Sequence, residues 1–147
     1  MLVSFDFDDT LLLTRPDEDW GLVEAGPNVP MLVALRAHAA AGDTVIIVTS
    51  RMASREFEFQ QRIGAGGQLG CNIEPPRTPV AAFVAAHKLP VASVHFTEGK
   101  DKAEALASLG VAKHFDDDEH ELEALQGTGI EGVQAPIHPA WGDPNET

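Results

Sequence analysis

Basic residues are scarce in this chain of 147 residues. Ten lysines and arginines stand against 23 aspartates and glutamates, which gives a formal net charge of -13 at pH 7. Such a surface repels the phosphate backbone of nucleic acids and the face of an anionic membrane. General nucleic-acid binding is therefore disfavoured, unless a local basic cleft overrides the net charge.

Cysteine and long apolar runs are also nearly absent. Cys71 stands alone, so no intrachain disulfide can form, and no cysteines and histidines have the spacing of a structural zinc site. A reducing cytoplasm is the expected compartment. No apolar run reaches about 18 residues and no basic segment precedes an apolar one, so neither membrane insertion nor export is predicted. The glycine-rich stretch at 64–70 is no nucleotide-phosphate loop, because no Lys-Ser or Lys-Thr pair follows it.

Segments typical of strands and helices alternate along the chain. Strands are predicted at residues 2–7, 44–48, 91–96, 112–115 and 130–135, and helices at 31–41, 54–63, 78–87, 102–109 and 119–125. Residues 11–26 are interpreted as a loop or short hairpin, and 136–147 as an extended tail. This alternation predicts a single α/β domain over 1–147, a three-layer Rossmann-like arrangement of a parallel five-stranded sheet with helices on both faces.

Polar residues follow the predicted strands at the points where the strands end. Because ligands bind beyond the carboxyl ends of parallel strands, we expect these side chains to converge on one crevice. They are Asp6, Asp8 and Thr10 after the first strand, Thr49, Ser50 and Arg51 after the second, Lys102 after the third, and Asp116 and Asp117 after the fourth.

The chemistry open to this set of side chains is narrow. Several carboxylates close together are costly unless a hard cation joins them, and an all-oxygen set suits Mg²⁺. A carboxylate such as Asp6 can attack phosphorus, and Asp8 can protonate the leaving oxygen and then activate water. The hydroxyl of Thr49 and the ammonium of Lys102 can stabilise the phosphoryl oxygens. Arg51 is as compatible with a substrate contact as with a surface position, and Asp118, Glu119 and Glu121 are interpreted as a solvated helix start.

Four segments in order resemble the motifs of the haloacid dehalogenase (HAD) superfamily. Residues 5–11, Phe-Asp-Phe-Asp-Asp-Thr-Leu, resemble its first motif, and 45–49 its second, an apolar strand ending in Thr or Ser. Lys102 at a helix start resembles the third, for which Lys100 competes, and residues 114–117, His-Phe-Asp-Asp, resemble the fourth. The resemblance covers roughly residues 2–135.

The resemblance implies a role for each acidic residue. Asp6 would be the nucleophile and Asp8 the acid/base. Mg²⁺ would be held by the Asp6 carboxylate, the Asp8 backbone carbonyl and an acid of the fourth motif. For that acid we favour Asp117 as the direct ligand, with Asp116 beside it, and Thr10, Thr49, Ser50, Arg51 and Lys102 would bind the substrate.

The resemblance also bears on the substrate class. A minimal or absent cap is inferred, similar to the phosphatase domains of polynucleotide kinase-phosphatases and of the magnesium-dependent protein-tyrosine phosphatase-like group. The expected substrate is a nucleotide or another small phosphomonoester, with a nucleic-acid 3′-phosphate as a further candidate, and no membrane partner is expected. Two alternatives are a catalytically silent HAD-fold binding module and a receiver-like phosphoacceptor domain, although receivers carry their acidic pair ahead of the phosphorylated Asp.

Overall fold

The computed structural model describes residues 1–16, 22–54, 56 and 77–136. The strands are β1 (Leu2–Phe5), β2 (Leu12–Pro16), β3 (Leu22–Pro27), β4 (Thr44–Thr49), β5 (Ser93–Phe96), β6 (Lys113–Asp116) and β7 (Glu131–Gln134). The helices are α1 (Val29–Ala40), α2 (Val80–Ala86), α3 (Ala103–Leu109) and α4 (Glu119–Glu123). Most of the helix predicted at 54–63, the glycine-rich stretch at 64–70 and nearly all of the predicted tail lie outside the described residues.

A five-stranded parallel sheet forms the centre of the fold. Its strands lie in the order β5-β4-β1-β6-β7, and every neighbouring pair is parallel. In the central strand β1, Phe5 pairs with Ile47 of β4 on one side and with Phe115 of β6 on the other. The predicted α/β class and the five-stranded parallel sheet are confirmed.

Helices cover both faces of this sheet, and strand β4 shows how its sequence encodes that arrangement. Val45 and Ile47 belong to the hydrophobic cluster that includes buried residues of α1 and α2. Ile46 and Val48, which point to the opposite face, pack in a second cluster with Leu106 of α3. A strand buried on both faces needs apolar residues at every position, which explains its unbroken β-branched run.

Residues 11–26 contain a hairpin, as one of the two predicted alternatives. Strands β2 and β3 pair antiparallel and form a separate two-stranded sheet. Glu24 of β3 joins the hairpin to the start of α2, because its carboxylate accepts hydrogen bonds from the backbone N–H and the hydroxyl of Thr78, both at 2.7 Å. The N-cap residue of α2 is Pro79, which makes no side-chain capping bond, and α2 begins two residues later than predicted.

Among the described residues, the predicted helix bounds agree with the structure to within two residues. Asn28 is the N-cap residue of α1, but its side chain makes no capping bond. It is fully buried, and its amide donates to the carbonyls of Thr10 at 3.0 Å and of Pro136 at 2.8 Å. Gly110, with φ +77, ends α3 in the left-handed conformation that glycine adopts without strain. None of the helices in the described part of the chain combines the length and the hydrophobicity of a membrane-spanning segment.

Candidate active site

A tight turn after β1 sets the position of the first acidic residues. Strand β1 ends at Phe5, two residues earlier than predicted, although the N–H of Asp6 still donates to the carbonyl of Phe115 at 2.9 Å. The carbonyl of Phe7 then accepts from Leu11 and Leu12, at 2.9 and 3.1 Å. Asp9 takes the left-handed φ of +63. The chain therefore reverses directly after Asp8.

Three carboxylates meet at the end of β1 and β6. One oxygen each of Asp6, Asp116 and Asp117 lies within 4.8 Å of the others, and we call these residues the acidic cluster. The ammonium of Lys102 lies 3.0 Å from Asp6 Oδ1 and 2.8 Å from Asp116 Oδ2. The hydroxyl of Thr10 lies 3.1 Å from Asp6 Oδ2 and 3.2 Å from Asp117 Oδ1, and with one proton it can donate to only one of them at a time.

The acidic cluster contains more negative charge than Lys102 can balance. Burial raises the pKa of Asp6 well above its usual range, and the charges of Asp116 and Asp117 add to the shift, while Lys102 opposes it. Burial also raises the pKa of Asp117, helped by the charges of Asp116 and Asp9. Burial works against the charge of Lys102, but Asp6 and Asp116 more than compensate and raise its pKa. The cluster would therefore be stabilised by a further cation.

Asp116 differs from Asp6 and Asp117 because other groups of the protein form hydrogen bonds with both of its carboxylate oxygens. Oδ2 accepts from Lys102 and lies 2.9 Å from Nε2 of His114, and Oδ1 accepts from the N–H of Asp118 at 3.0 Å. Burial alone would raise the pKa of Asp116, but the bonds from His114 and Lys102 hold it well below its usual range. Nδ1 of His114 in turn lies 2.7 Å from the hydroxyl of Ser4. This fully buried chain of groups fixes Asp116 as an anion.

His114 and Ser4 were not predicted to take part in the site. The sequence does contain a hint for each residue. His114 lies two positions before Asp116, so both side chains point to the same face of the strand, and Ser4 is the single polar residue of an apolar strand. Glu121 was predicted to be solvated, and this is wrong. Its carboxylate is buried and accepts from the backbone N–H of Lys102 at 3.0 Å.

Asp8 forms a second charged group with Arg51. The guanidinium donates to both carboxylate oxygens, from Nε at 2.9 Å and from Nη2 at 2.8 Å. Nη1 donates to Glu56 at 2.9 Å and to the carbonyl of Thr78 at 2.8 Å. Burial disfavours the charge of Arg51, but its bonds to Asp8 and the charge of Glu56 raise its pKa. Since only 5% of the side chain is exposed, the surface position considered for Arg51 is wrong.

The other predicted residues lie around these two groups. Thr49 is fully buried at the end of β4, and its hydroxyl accepts from the N–H of Arg51 at 3.2 Å. Ser50 is exposed, and its carbonyl accepts from Gly99 at 2.7 Å. Lys100 is exposed as well, so it is Lys102 whose ammonium reaches the acidic cluster.

Comparison with solved structures shows the fold alone. A chain in the structure of a Pnkp1/Rnl/Hen1 complex matches 90% of this chain with a TM-score of 0.59 and 14% identity. A putative 3-deoxy-D-manno-octulosonate 8-phosphate phosphatase from Vibrio cholerae matches 84% of it with a TM-score of 0.44 and 15% identity. A hypothetical protein from Xanthomonas campestris matches 96% of it with a TM-score of 0.46 and 23% identity. The chain spans 44%, 60% and 67% of these three, respectively.

The match to the chain from the Pnkp1/Rnl/Hen1 complex agrees with the α/β architecture described above. No protein-family model matches the sequence, and neither does any curated protein.

Proposed function

We propose that the protein is a HAD-type phosphomonoester hydrolase in which Asp6 accepts the phosphoryl group. The observation that carries this proposal is the position of Asp6: its carboxylate lies in a buried polar cluster, between an ammonium and a hydroxyl, at the carboxyl end of the central strand. Lys102 at 3.0 Å can balance the charge of the phosphoryl oxygens as well as that of the carboxylate. Thr10 orients the second oxygen of Asp6.

The proposed reaction has two steps. In the first, an oxygen of Asp6 attacks phosphorus, the bond from phosphorus to the leaving oxygen breaks, and Asp8 gives that oxygen its proton. In the second, Asp8 takes a proton from water, whose oxygen attacks the phosphorus of the aspartyl phosphate and releases Asp6 and inorganic phosphate. Asp8 is therefore protonated at the start of each turnover and protonated again at its end.

Mg²⁺ is the proposed cofactor, and the donor set fits it. The acidic cluster offers only oxygen ligands. Burial, together with the neighbouring carboxylates, raises the pKa of Asp6 and of Asp117, and a hard cation would favour their charged forms. We assign the ion to the carboxylates of Asp6 and Asp117 and to the backbone carbonyl of Asp8. Asp116 would stay beside the site, because Lys102, His114 and Asp118 already occupy its oxygens. When bound, Mg²⁺ would neutralise the negative charge that the nucleophile and the phosphate share.

The positions of the basic side chains favour a small substrate. A nucleic-acid substrate would need basic side chains around the crevice, for which the sequence offers Arg15, Arg51, Arg55, Lys100 and Arg77. Arg51 is buried against Asp8 and Glu56, and Arg55 lies outside the described residues. Arg15 and Lys100 are exposed and could attract phosphate. With the net charge of -13, this supports small phosphomonoesters, including nucleotides, over a nucleic-acid 3′-phosphate. Turnover of a nucleotide should at least equal that of a 3′-phosphorylated duplex, with a shallow salt dependence.

Hydrolysis of 4-nitrophenyl phosphate with and without Mg²⁺ tests the proposal. Asp6→Asn keeps the shape of the side chain but removes the nucleophile, so activity should be lost while the protein remains folded. Asp8→Asn should lower kcat by about 10²- to 10⁴-fold, the usual loss for an acid/base, because Asp8 also activates water in the second step. Asp101→Asn, an exposed aspartate beside Lys102, is the matched control and should keep full activity.

Three outcomes would contradict the proposal. Full activity of Asp6→Asn would exclude the nucleophile. Binding of Mg²⁺ and phosphate without turnover of any ester would favour the silent binding module. Stable phosphorylation of an aspartate by a small phosphodonor, with no ester hydrolysis, would favour the receiver-like domain.

A further inference from the structure

We propose that Arg51 is a positioning residue that orients Asp8 for proton transfer, and that it does not bind the phosphate. This inference rests on the proposed function, because it assigns Asp8 the role of acid/base. Its basis is the two-pronged contact between the guanidinium and the carboxylate, together with the burial of the guanidinium.

Asp8 needs an external constraint to act as an acid. Its side chain is 31% exposed, and Asp8 stands at the start of a turn rather than within a strand, so rotation about its side-chain bonds would move its oxygens away from a leaving group. A fork of two parallel N–H···O bonds fixes both the direction and the plane of a carboxylate. Each oxygen has two lone pairs, and the fork uses one on each, so a site for the transferred proton remains.

Arg51 is itself held too firmly to reach a substrate phosphate. Besides Asp8, it donates to Glu56 at 2.9 Å and to the carbonyl of Thr78 at 2.8 Å. Its guanidinium carbon lies 4.7 Å from the centroid of the Phe7 ring. Turning toward a phosphate would break several charge-assisted bonds in a site where the side chain is 5% exposed.

The orientation of Asp8 therefore depends on residues distant in the sequence. Glu56 accepts from Arg51 and also from the backbone N–H of Val80 at 2.8 Å, at the start of α2. The carbonyl of Thr78 accepts a hydrogen bond from Arg51, and its hydroxyl donates one to Glu24 of the hairpin. One continuous set of bonds thus connects the proposed acid to α2 and to the hairpin.

Dependence on the leaving group distinguishes positioning from phosphate binding. A nitrophenolate can leave without a proton, whereas the alkoxide of an alkyl phosphate needs one. We therefore compare kcat/KM for 4-nitrophenyl phosphate and for glycerol 2-phosphate, because this ratio reports the steps up to phosphorylation of Asp6. In Arg51→Ala, kcat/KM for the alkyl ester should fall by about 10²-fold, the cost of a misplaced reacting group, and by at least about tenfold more than for the aryl ester.

Further measurements sharpen the test. Inhibition by inorganic phosphate should be unchanged in Arg51→Ala, and added guanidinium ion should restore part of the activity toward the alkyl ester.

Arg51→Lys keeps the charge but cannot form the two parallel bonds to Asp8, so it should show the same change in leaving-group preference. It replaces Arg51→Ala in the test if that variant does not fold. In an Asp8→Asn background, Arg51→Lys should have little further effect. Arg36→Ala is the matched control, since Arg36 is exposed and donates to the carbonyl of His87.

Equal losses toward both esters, with weaker inhibition by phosphate, would overturn the proposal in favour of a phosphate ligand. Equal losses without rescue, accompanied by lower thermal stability, would reduce Arg51 to a structural residue. Both of these results leave the proposed function standing. If the wild-type protein hydrolyses neither ester, the proposed function fails and the inference fails with it.

Discussion

Removal of the ammonium of Lys102 is the perturbation that tests the electrostatics of the site most directly. Lys102 is buried, and its ammonium lies 3.0 Å from Asp6 and 2.8 Å from Asp116. Lys102→Ala would leave these carboxylates without that contact. At an effective dielectric constant of about 20, a unit charge pair at such distances interacts by roughly 5 kcal/mol before desolvation is counted.

The net loss is smaller because the lysine no longer has to be desolvated. Truncating one partner of a buried ion pair costs about 3–5 kcal/mol of the free energy of unfolding. For a domain of this size that corresponds to a fall in Tm of roughly 10–20 °C. In our proposal Mg²⁺ binds to one of these two carboxylates, that of Asp6, so it should stabilise the variant more than the wild-type protein.

Thermal unfolding with and without Mg²⁺, followed by circular dichroism, measures both effects. Lys100→Ala is the matched control and should change the free energy of unfolding by less than about 0.5 kcal/mol, because Lys100 is exposed. Phosphatase activity should fall more in Lys102→Ala than in Lys100→Ala. Equal losses of stability in the two variants would contradict the role given to Lys102, and so would a smaller Mg²⁺-induced rise in Tm for Lys102→Ala than for the wild-type protein.

Two further predictions concern the metal site. Asp117→Ala should weaken Mg²⁺ binding in a calorimetric titration. Asp118→Ala should mainly cost about 1 kcal/mol of stability, because the Asp118 side chain caps α4 by accepting from the N–H of His120. A larger loss of Mg²⁺ binding in Asp118→Ala would instead make Asp118 the metal ligand. Burial raises the pKa of Asp6 and Asp117, so in the folded protein they retain protons that the unfolded chain releases near pH 4, and their contribution to stability is lost as the pH rises through the folded pKa. The Tm increase caused by Mg²⁺ should therefore grow from about pH 4 toward neutrality, and a constant increase over that range would contradict the assignment.

Local patterns predicted the parts of the fold that depend on local physics. The β-branched run from Thr44 reveals a strand buried on both faces because each position must be apolar. Gly110 marks the end of α3 because the chain needs a left-handed residue there. Polar residues directly after apolar strands indicated the crevice, since parallel strands bring their carboxyl ends to one edge.

Pairings between distant residues could not be predicted in this way. Arg51 lies 43 positions from Asp8 in the sequence and Ser4 lies 110 positions from His114. Which of them meet depends on the strand order and on the register of the sheet, and neither is encoded within one segment. Glu121 shows the same limit, because its acidic neighbours are typical of a solvated helix start while its own side chain is buried against Lys102.

The strand order also explains how two aspartates two positions apart can have different proposed roles. Strand β1 lies between β4 and β6, so its carboxyl end has a different neighbour on each side. Asp6 contacts Lys102, which also contacts Asp116 at the end of β6. Asp8 lies just before the chain reverses and pairs with Arg51, which follows β4. One carboxylate thus lies in a buried, charge-rich cluster suited to a nucleophile. The carboxylate of Asp8 is partly exposed and is held in place by two hydrogen bonds from Arg51. Both features suit an acid that must approach a leaving group.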